Sequence, residues 1–213
     1  MNIFIDTAVR GCNIALFNED GIVKVAQEDI ERGHAETLLI LYERIMKAAH
    51  CSSDNLENIY VTIGPGSFTG LRVGLTVARF IGFSLKIPVY GITTFQAFSA
   101  GVKDNSKQHL VLIETKRSDY YCQLFSSNHK EINEAQCLSK ELVSQLFTEN
   151  NDIIFTGDAI ERFKTEIGDT SIPCSIQTSV NIKNVIDAIN HNVFELSMAE
   201  AFYIREADVS MPK

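Results

Sequence analysis

The chain has 213 residues, 45% of them hydrophobic, enough for one large domain or two small lobes with a real core and too apolar for a disordered chain. Its 19 basic residues stand against 27 acidic ones, a net charge of −8, with no block of several basic residues. A protein that grips nucleic acid by itself usually carries a basic face, so any service to nucleic acid is expected to run through a partner. Five cysteines, at 12, 51, 122, 137 and 174, are odd in number and lack any C-x-x-C spacing. That argues against a disulfide framework or zinc knuckle and for free thiols in a reducing cytoplasm. No apolar run is expected to reach the roughly 18 residues of a membrane span, and Asp6 stands where a signal peptide would be apolar.

In chain order, a short buried strand is expected at residues 3–5, ending on the acid Asp6. A second strand follows at 12–17, and Asn18-Glu19-Asp20-Gly21 carries an Asp-Gly turn signal into a third at 22–30. Residues 35–49 read as a helix. Its apolar positions 35, 38, 39, 42, 45, 46 and 49 share one stripe, Leu41 and Ala48 widen it, and Ile40 falls among the charges. After a strand at 59–63 comes the most informative run, Gly64-Pro65-Gly66-Ser67-Phe68-Thr69-Gly70, continued by Leu71-Arg72-Val73-Gly74. A strand that hands over to a helix through glycines and hydroxyls makes a natural anion site. A phosphate loop, however, needs Lys and Ser/Thr directly after its last glycine, and Leu71-Arg72 stand there instead. The alternative is a tight turn where glycine permits positive φ and close packing. Ser67 or Thr69 then caps the helix rather than acting as a nucleophile, since no base is placed beside either. The helix at 71–86 is apolar almost all round, with Gly74, Ala78 and Gly82 every fourth residue and Arg72, Arg79 and Lys86 along one edge. Such a helix must be covered on more than one side, by its own chain or by a partner subunit. Pro88 ends it, and a strand follows at 89–92.

The second half restarts near residue 109. Phe4-Ile5-Asp6-Thr7 is echoed by Leu112-Ile113-Glu114-Thr115, and Leu16-Phe17 by Leu124-Phe125, at the same offset of 108 residues. Helices are expected at 139–148, 158–166 and 182–196, around a strand at 153–156. Two such halves resemble the actin, sugar kinase and heat-shock chaperone (ASKHA) superfold, an α/β, two-lobed architecture with duplicated ribonuclease H-like halves. Here the lobes are expected at 1–101 and 102–213, with the C-terminal helix returning.

ATP-using members of that superfold carry an acid with glycine and a hydroxyl residue in one hairpin, an acid and glycine in the other, and a glycine pair in an adenosine loop. This chain keeps Asp6 and Thr7, but the next glycine is Gly11; Glu114-Thr115-Lys116-Arg117-Ser118 has no glycine, and Phe155-Thr156-Gly157-Asp158 has one. Side chains keep the backbone from approaching a phosphate closely. Asp6, Thr7, Glu114 and Gly157 are therefore expected to line a vestigial nucleotide cleft without ATP chemistry. The histidines at 34, 50, 109, 129 and 191 offer no i, i+4 pair for a metal. His34 reads as a structural residue near a helix start, and no catalytic residue is expected.

The glycine loop with its Leu-Arg-Val-Gly continuation, Ile5-Asp6-Thr7-Ala8, the helix at His34 and the terminal Tyr203-Ile204-Arg205 together resemble the signature of the TsaB family, formerly called YeaZ. The resemblance spans nearly the whole chain and is densest over 59–95. One departure is Glu114-Thr115-Lys116-Arg117, where the family more often has Asp-Ala-Arg. The sister family TsaD shares the superfold but carries a paired-His metal motif that this chain lacks. The resemblance implies a non-catalytic subunit of the bacterial machinery that makes N6-threonylcarbamoyladenosine in tRNA. Such a subunit binds and activates TsaD through its first-lobe helices, and the ATPase TsaE joins the pair. The implied protein has no cofactor of its own, ATP being used by its partners, and meets tRNA only through the complex, in the cytoplasm and off the membrane. A homodimer in isolation is left open. The expected partner surface is Leu38, Leu41, Tyr42 and Ile45 on the first long helix and Leu71, Arg72, Leu75, Ala78 and Arg79 on the second. Two other readings stay open: a metal-dependent glycoprotease-like hydrolase, and a small kinase of the ASKHA type.

Overall fold

Alternating apolar runs build two sheets in the computed structural model, which describes residues 1–30, 33–104, 106–149 and 153–205. The first sheet holds β1 (Asn2–Asp6), β2 (Cys12–Asn18), β3 (Gly21–Glu28), β4 (Asn58–Gly64) and β5 (Val89–Thr93). The second holds β6 (Gln108–Glu114), β7 (Asp119–Phe125), β8 (Gln136–Ser139), β9 (Ile153–Gly157) and β10 (Cys174–Ile176). A last short strand, β11 (Ser197–Met198), returns to the first sheet. Among the described residues the strand orders are β11-β5-β4-β1-β2-β3 and β10-β9-β6-β7-β8. Setting β11 aside, the same topology occurs twice: an antiparallel hairpin with a third strand on one side, and parallel strands on the other. This is the two-lobed ASKHA architecture.

The helices cover both sheets. α1 (His34–Ala48) and α2 (Phe68–Leu85) bury Leu38, Leu41, Ile45, Leu75 and Ala78 against Ile3, Ile5, Ile14 and Val61. α4 (Lys140–Glu149) and α5 (Ile160–Ile167) do the same for the second sheet, with Val143, Ile160 and Phe163 on Leu110, Leu112 and Phe155. The remaining pair crosses over. α3 (Thr94–Ser99), started by a capping box between Thr93 and Gln96, sets Phe95 and Phe98 on Val111 and Ile113 of the second sheet. α6 (Ile182–Asn190) returns to the first sheet, where Val185 and Ile186 meet Phe4 and Phe17. Each half thus lends a helix to the other's open face.

Several expectations shift. The last helix ends at Asn190 rather than 196: His191 caps it, Asn192 turns left-handed at φ 54, and the chain bends toward β11. α2 starts three residues earlier than expected, because Ser67 caps it by accepting from the Gly70 N–H at 3.2 Å. At 18 residues and a mean hydropathy of 1.2, α2 also reaches the length and apolarity of a membrane-crossing helix, contrary to expectation. Here it is a core helix packed on β4 and α1.

The 108-residue echo holds for β2 and β7 but slips in β1 and β6. Asp6 pairs with Asn13, whereas Glu114 pairs with Tyr120, so the second hairpin is one residue shorter. Side chains alternate with a period of two, and a one-residue slip turns them to the opposite face. Ile5 therefore faces α1 and α2, while its sequence counterpart Ile113 faces α3.

Candidate partner interface and interlobe cleft

The glycine loop is shaped by what it packs against. Ser67 N–H donates to the Ala8 carbonyl at 2.7 Å, and the Thr7 hydroxyl donates to the Gly70 carbonyl at 2.7 Å. A Cβ at Gly66 would fall 2.3 Å from the Ala8 oxygen, and one at Gly70 would fall 2.0 Å from the Thr7 oxygen. Glycine is required because the loop and the start of α2 lie directly on the first hairpin turn. The loop closes on its own chain where a phosphate loop would open toward a ligand.

The four residues expected at the nucleotide cleft separate into two structural clusters. Asp6 is fully buried and accepts from Thr62 Oγ1 at 2.8 Å, Asn13 Nδ2 at 3.1 Å and the Ala8 N–H at 3.1 Å. Burial raises its pKa, and these three donors oppose the rise. Thr7 is spent on Gly70. Because of the register slip, Glu114 lies on the face toward α5. It accepts from the Lys116 N–H at 2.6 Å and pairs with Arg162 Nε at 3.1 Å. Gly157 ends β9, and the following carboxylate, Asp158, accepts from the Glu114 N–H at 3.0 Å. Burial pushes Asp158 up to about 6. Arg162, whose role the sequence did not signal, lies 4.0 Å from the Tyr120 ring centre and donates to the Asp119 carbonyl at 2.7 Å, closing the second hairpin from behind.

Between the glycine loop and the second hairpin runs the chain's own segment 202–205. It leaves a pocket of 280 Å³ lined by Gly66, Phe68, Thr115, Arg117 and Tyr121 together with the segment itself. The segment thus walls this pocket with the chain's own residues.

A polar cluster that spacing could not reveal joins Ser99, His109 and His129. The Ser99 hydroxyl lies 3.1 Å from His129 Nδ1 and 3.4 Å from His109 Nδ1, and His109 Nε2 lies 3.4 Å from the Asp104 carbonyl. A carbonyl only accepts, so in the contact with Asp104 the donor is His109 Nε2–H. Burial lowers the pKa of both imidazoles. Ser99 is fully buried, so this chain of hydrogen bonds joins the lobes rather than offering a nucleophile. Among the described residues no three His, Cys, Asp or Glu side chains gather as a metal site. His34 is the first residue of α1.

The expected partner surface needs correction. Leu38, Leu41, Ile45, Leu71, Leu75 and Ala78 are buried in the chain's own core, and Tyr42 is half-buried, its hydroxyl 2.9 Å from Ser53 Oγ. Arg72 and Arg79 alone of the nine are exposed. Arg72 lies over the Phe68 ring at 3.7 Å, and Arg79 Nε donates to the Ala199 carbonyl at 2.8 Å. The apolar stripe of α1 is rotated from its expected position, so that Leu41 faces the sheet and Leu39 and Ile40 face outward. Ile40 is 60% exposed, and on α2 Phe80 is 67% and Phe83 85% exposed. Ala35, Phe68, Arg72, Val73, Thr76 and Val77 line a 380 Å³ groove between the two helices. No carboxylate occurs between Glu57 and Asp104, in a chain whose net charge is −8. The outer face of α2 is thus apolar with a basic edge.

Residues 21–200 match a protein-family model described as TsaD: tRNA N6-adenosine threonylcarbamoyltransferase. Over 119 residues the chain is 30% identical to the tRNA threonylcarbamoyladenosine biosynthesis protein TsaB of Buchnera aphidicola subsp. Schizaphis graminum, covering 55% of this chain and 56% of that protein. The Haemophilus influenzae protein of the same name is 21% identical over 97% of this chain and 87% of its own length. At about 30% identity the chain spans roughly half the length of the curated relatives it matches. A Pseudomonas aeruginosa crystal structure, described as an uncharacterized protein with similarity to peptidase YEAZ, superposes with a TM-score of 0.78. It covers 96% of this chain and 99% of its own at 18% identity, a likeness of fold.

Proposed function

This chain belongs to the TsaB (YeaZ) family, and we propose that it serves as a non-catalytic subunit of the machinery that forms N6-threonylcarbamoyladenosine in tRNA. Its role there is to bind and activate a TsaD-like catalytic subunit. The observation that carries this reading is the exposure of Leu39 and Ile40 on α1 and of Phe80 and Phe83 on α2, two helices that pack side by side, with no acid on α2. Large apolar side chains gathered on one surface are the signature of an interface. The partner is expected to bring an apolar helical face with carboxylates placed to meet Arg72 and Arg79.

The cleft supports the same reading. Asp6 and Glu114 are engaged within the protein, the loop is closed on the first hairpin, and segment 202–205 runs between the loop and the second hairpin. ATP use therefore falls to partners, with a TsaE-like ATPase joining the pair, and the chain needs no nucleotide cofactor of its own. Its acidic charge leaves tRNA contact to the complex. The five cysteines are free thiols, in keeping with a cytoplasmic place. The same helical face is where two copies would meet in the partner's absence.

The test is co-purification with a TsaD-like subunit, followed by a tRNA modification assay in which each component is omitted in turn. The reading requires that omission of this chain abolish modification while the chain alone neither modifies tRNA nor hydrolyses ATP faster than buffer. Robust, Asp6-dependent ATP turnover by the purified chain would instead establish the kinase reading.

A further inference from the structure

We propose that residues 199–205 form a strap that ties the two lobes together across the cleft and links the outer end of α2 to the second hairpin. The strap begins where β11 pairs with β5, and Ala199 is held through both its N–H and its carbonyl. Its N–H donates to the Val89 carbonyl at 3.3 Å, and its carbonyl accepts from Arg79 Nε of α2 at 2.8 Å. Phe202 N–H then donates to the Ile63 carbonyl at 2.8 Å, at the end of β4. The Phe202 carbonyl lies only 2.8 Å from where a Cβ on Gly64 would stand, so this glycine admits the strap against the loop.

Beyond that point the strap changes lobes. Phe202 packs against the apolar clusters of both sheets, and Ile204 packs with Phe95, Val111 and Phe125 on the second. The Tyr203 ring lies 5.8 Å from Phe68 at the start of α2. Arg205 donates to Asp119 Oδ2, and the other oxygen of Asp119 accepts from Thr115 Oγ1 at 2.8 Å. An irregular segment that crosses a cleft stays in place only when fastened at both ends, and this one is fastened to α2, β5, β4 and β7. In two-lobed proteins hinge closure is commonly driven by ligand; here covalently attached chain supplies the contacts. Arg79 also lies on the face proposed for the partner, so a subunit seated on α2 bears on the strap's first anchor. The strap itself rests on intramolecular contacts alone and stands whether or not that partner reading holds.

Hydrogen exchange of the intact protein tests the proposal at two segments, 64–70 and 114–119, with small-angle scattering as a measure of lobe separation. Arg205→Ala removes a charge-assisted bond and is expected to raise exchange over 114–119 about tenfold, with β1 and β2 unchanged. Arg79→Ala, made at the other anchor, is expected to raise exchange at both 202–205 and 114–119. A chain ended after Ala201, compared with one ended after Arg205, is expected to open both segments and to expand in solution. Should the shorter chain unfold, Arg205→Ala and Phe202→Ala carry the test. The proposal is overturned if these two variants exchange at 64–70 and 114–119 within twofold of the parent, or if only residues 203–205 loosen.

Discussion

Substituting Phe83 by Glu separates a partner surface from a core more cleanly than any change in the buried stripes. Phe83 is 85% exposed, so the charge stays in water in the free protein, and stability is expected to move by no more than about 0.5 kcal/mol. If the ring enters an interface, its exposed portion contributes roughly 2 kcal/mol, about thirtyfold in affinity. An unpaired carboxylate held there adds a penalty of several kcal/mol, so the complex with a TsaD-like subunit is expected to weaken at least about a hundredfold. Ala78→Glu is the contrast. Ala78 is fully buried between α2 and the sheet, and its variant is expected to unfold rather than merely dissociate. The assay is a thermal melt of each variant, co-elution with the catalytic subunit, and the modification reaction. A Phe83→Glu protein that melts like the parent, co-elutes at parental yield and supports full modification would refute the assignment of this face.

Three further outcomes follow from the interior. Asp6→Ala leaves the Thr62 hydroxyl, the Asn13 amide and the Ala8 N–H without their acceptor, and is expected to destabilise by about 3 kcal/mol or more in chemical denaturation; a loss under 1 kcal/mol would mean that these three bonds contribute little to the fold. Gly70→Ala drives a methyl to 2.0 Å from the Thr7 oxygen and is expected to lower stability by about 1–3 kcal/mol, read as a drop in Tm. Asp158, raised from 3.8 to about 6, keeps its proton longer in the folded than in the unfolded chain. Between those values the folded state binds more protons, so this group's contribution falls as pH rises, by about 3 kcal/mol in all. The lowered pKa values of His109 and His129 act oppositely, removing stability as pH falls below 6.5. Asp158→Asn is therefore expected to gain stability relative to the parent as pH rises from 4 to 7, and denaturation at a series of pH values checks the sign.

Much of the architecture was written in local pattern. The strands at 3–5, 12–17 and 59–63, the Asp-Gly turn, the helix at 35–49 and the halt before Pro88 all declare themselves through periodicity and turn chemistry, which act over a few residues. α3, β8, β10 and β11 escaped because they are two to six residues long and owe their form to neighbours, although Thr93 and Gln96 did offer a capping signal for α3. Core residues were taken for surface residues on α1 and α2 for a different reason. An apolar residue has the same identity whether it meets its own sheet or a second protein, so composition could not divide Leu41 from Ile40 or Ala78 from Phe83.

The sequence by itself determined the order of the longer strands and helices and the glycine handover into α2, and through Leu71-Arg72 it argued against a phosphate loop. Tertiary structure alone decided that Asp6 and Glu114 face different neighbours, because a pleat repeats every two residues and a hairpin one residue shorter turns a strand over. It alone brought Arg205 to Asp119 across 86 positions and His129 to Ser99 across 30. Contacts at that separation leave no periodic trace in the sequence; they exist only once the chain has closed its lobes.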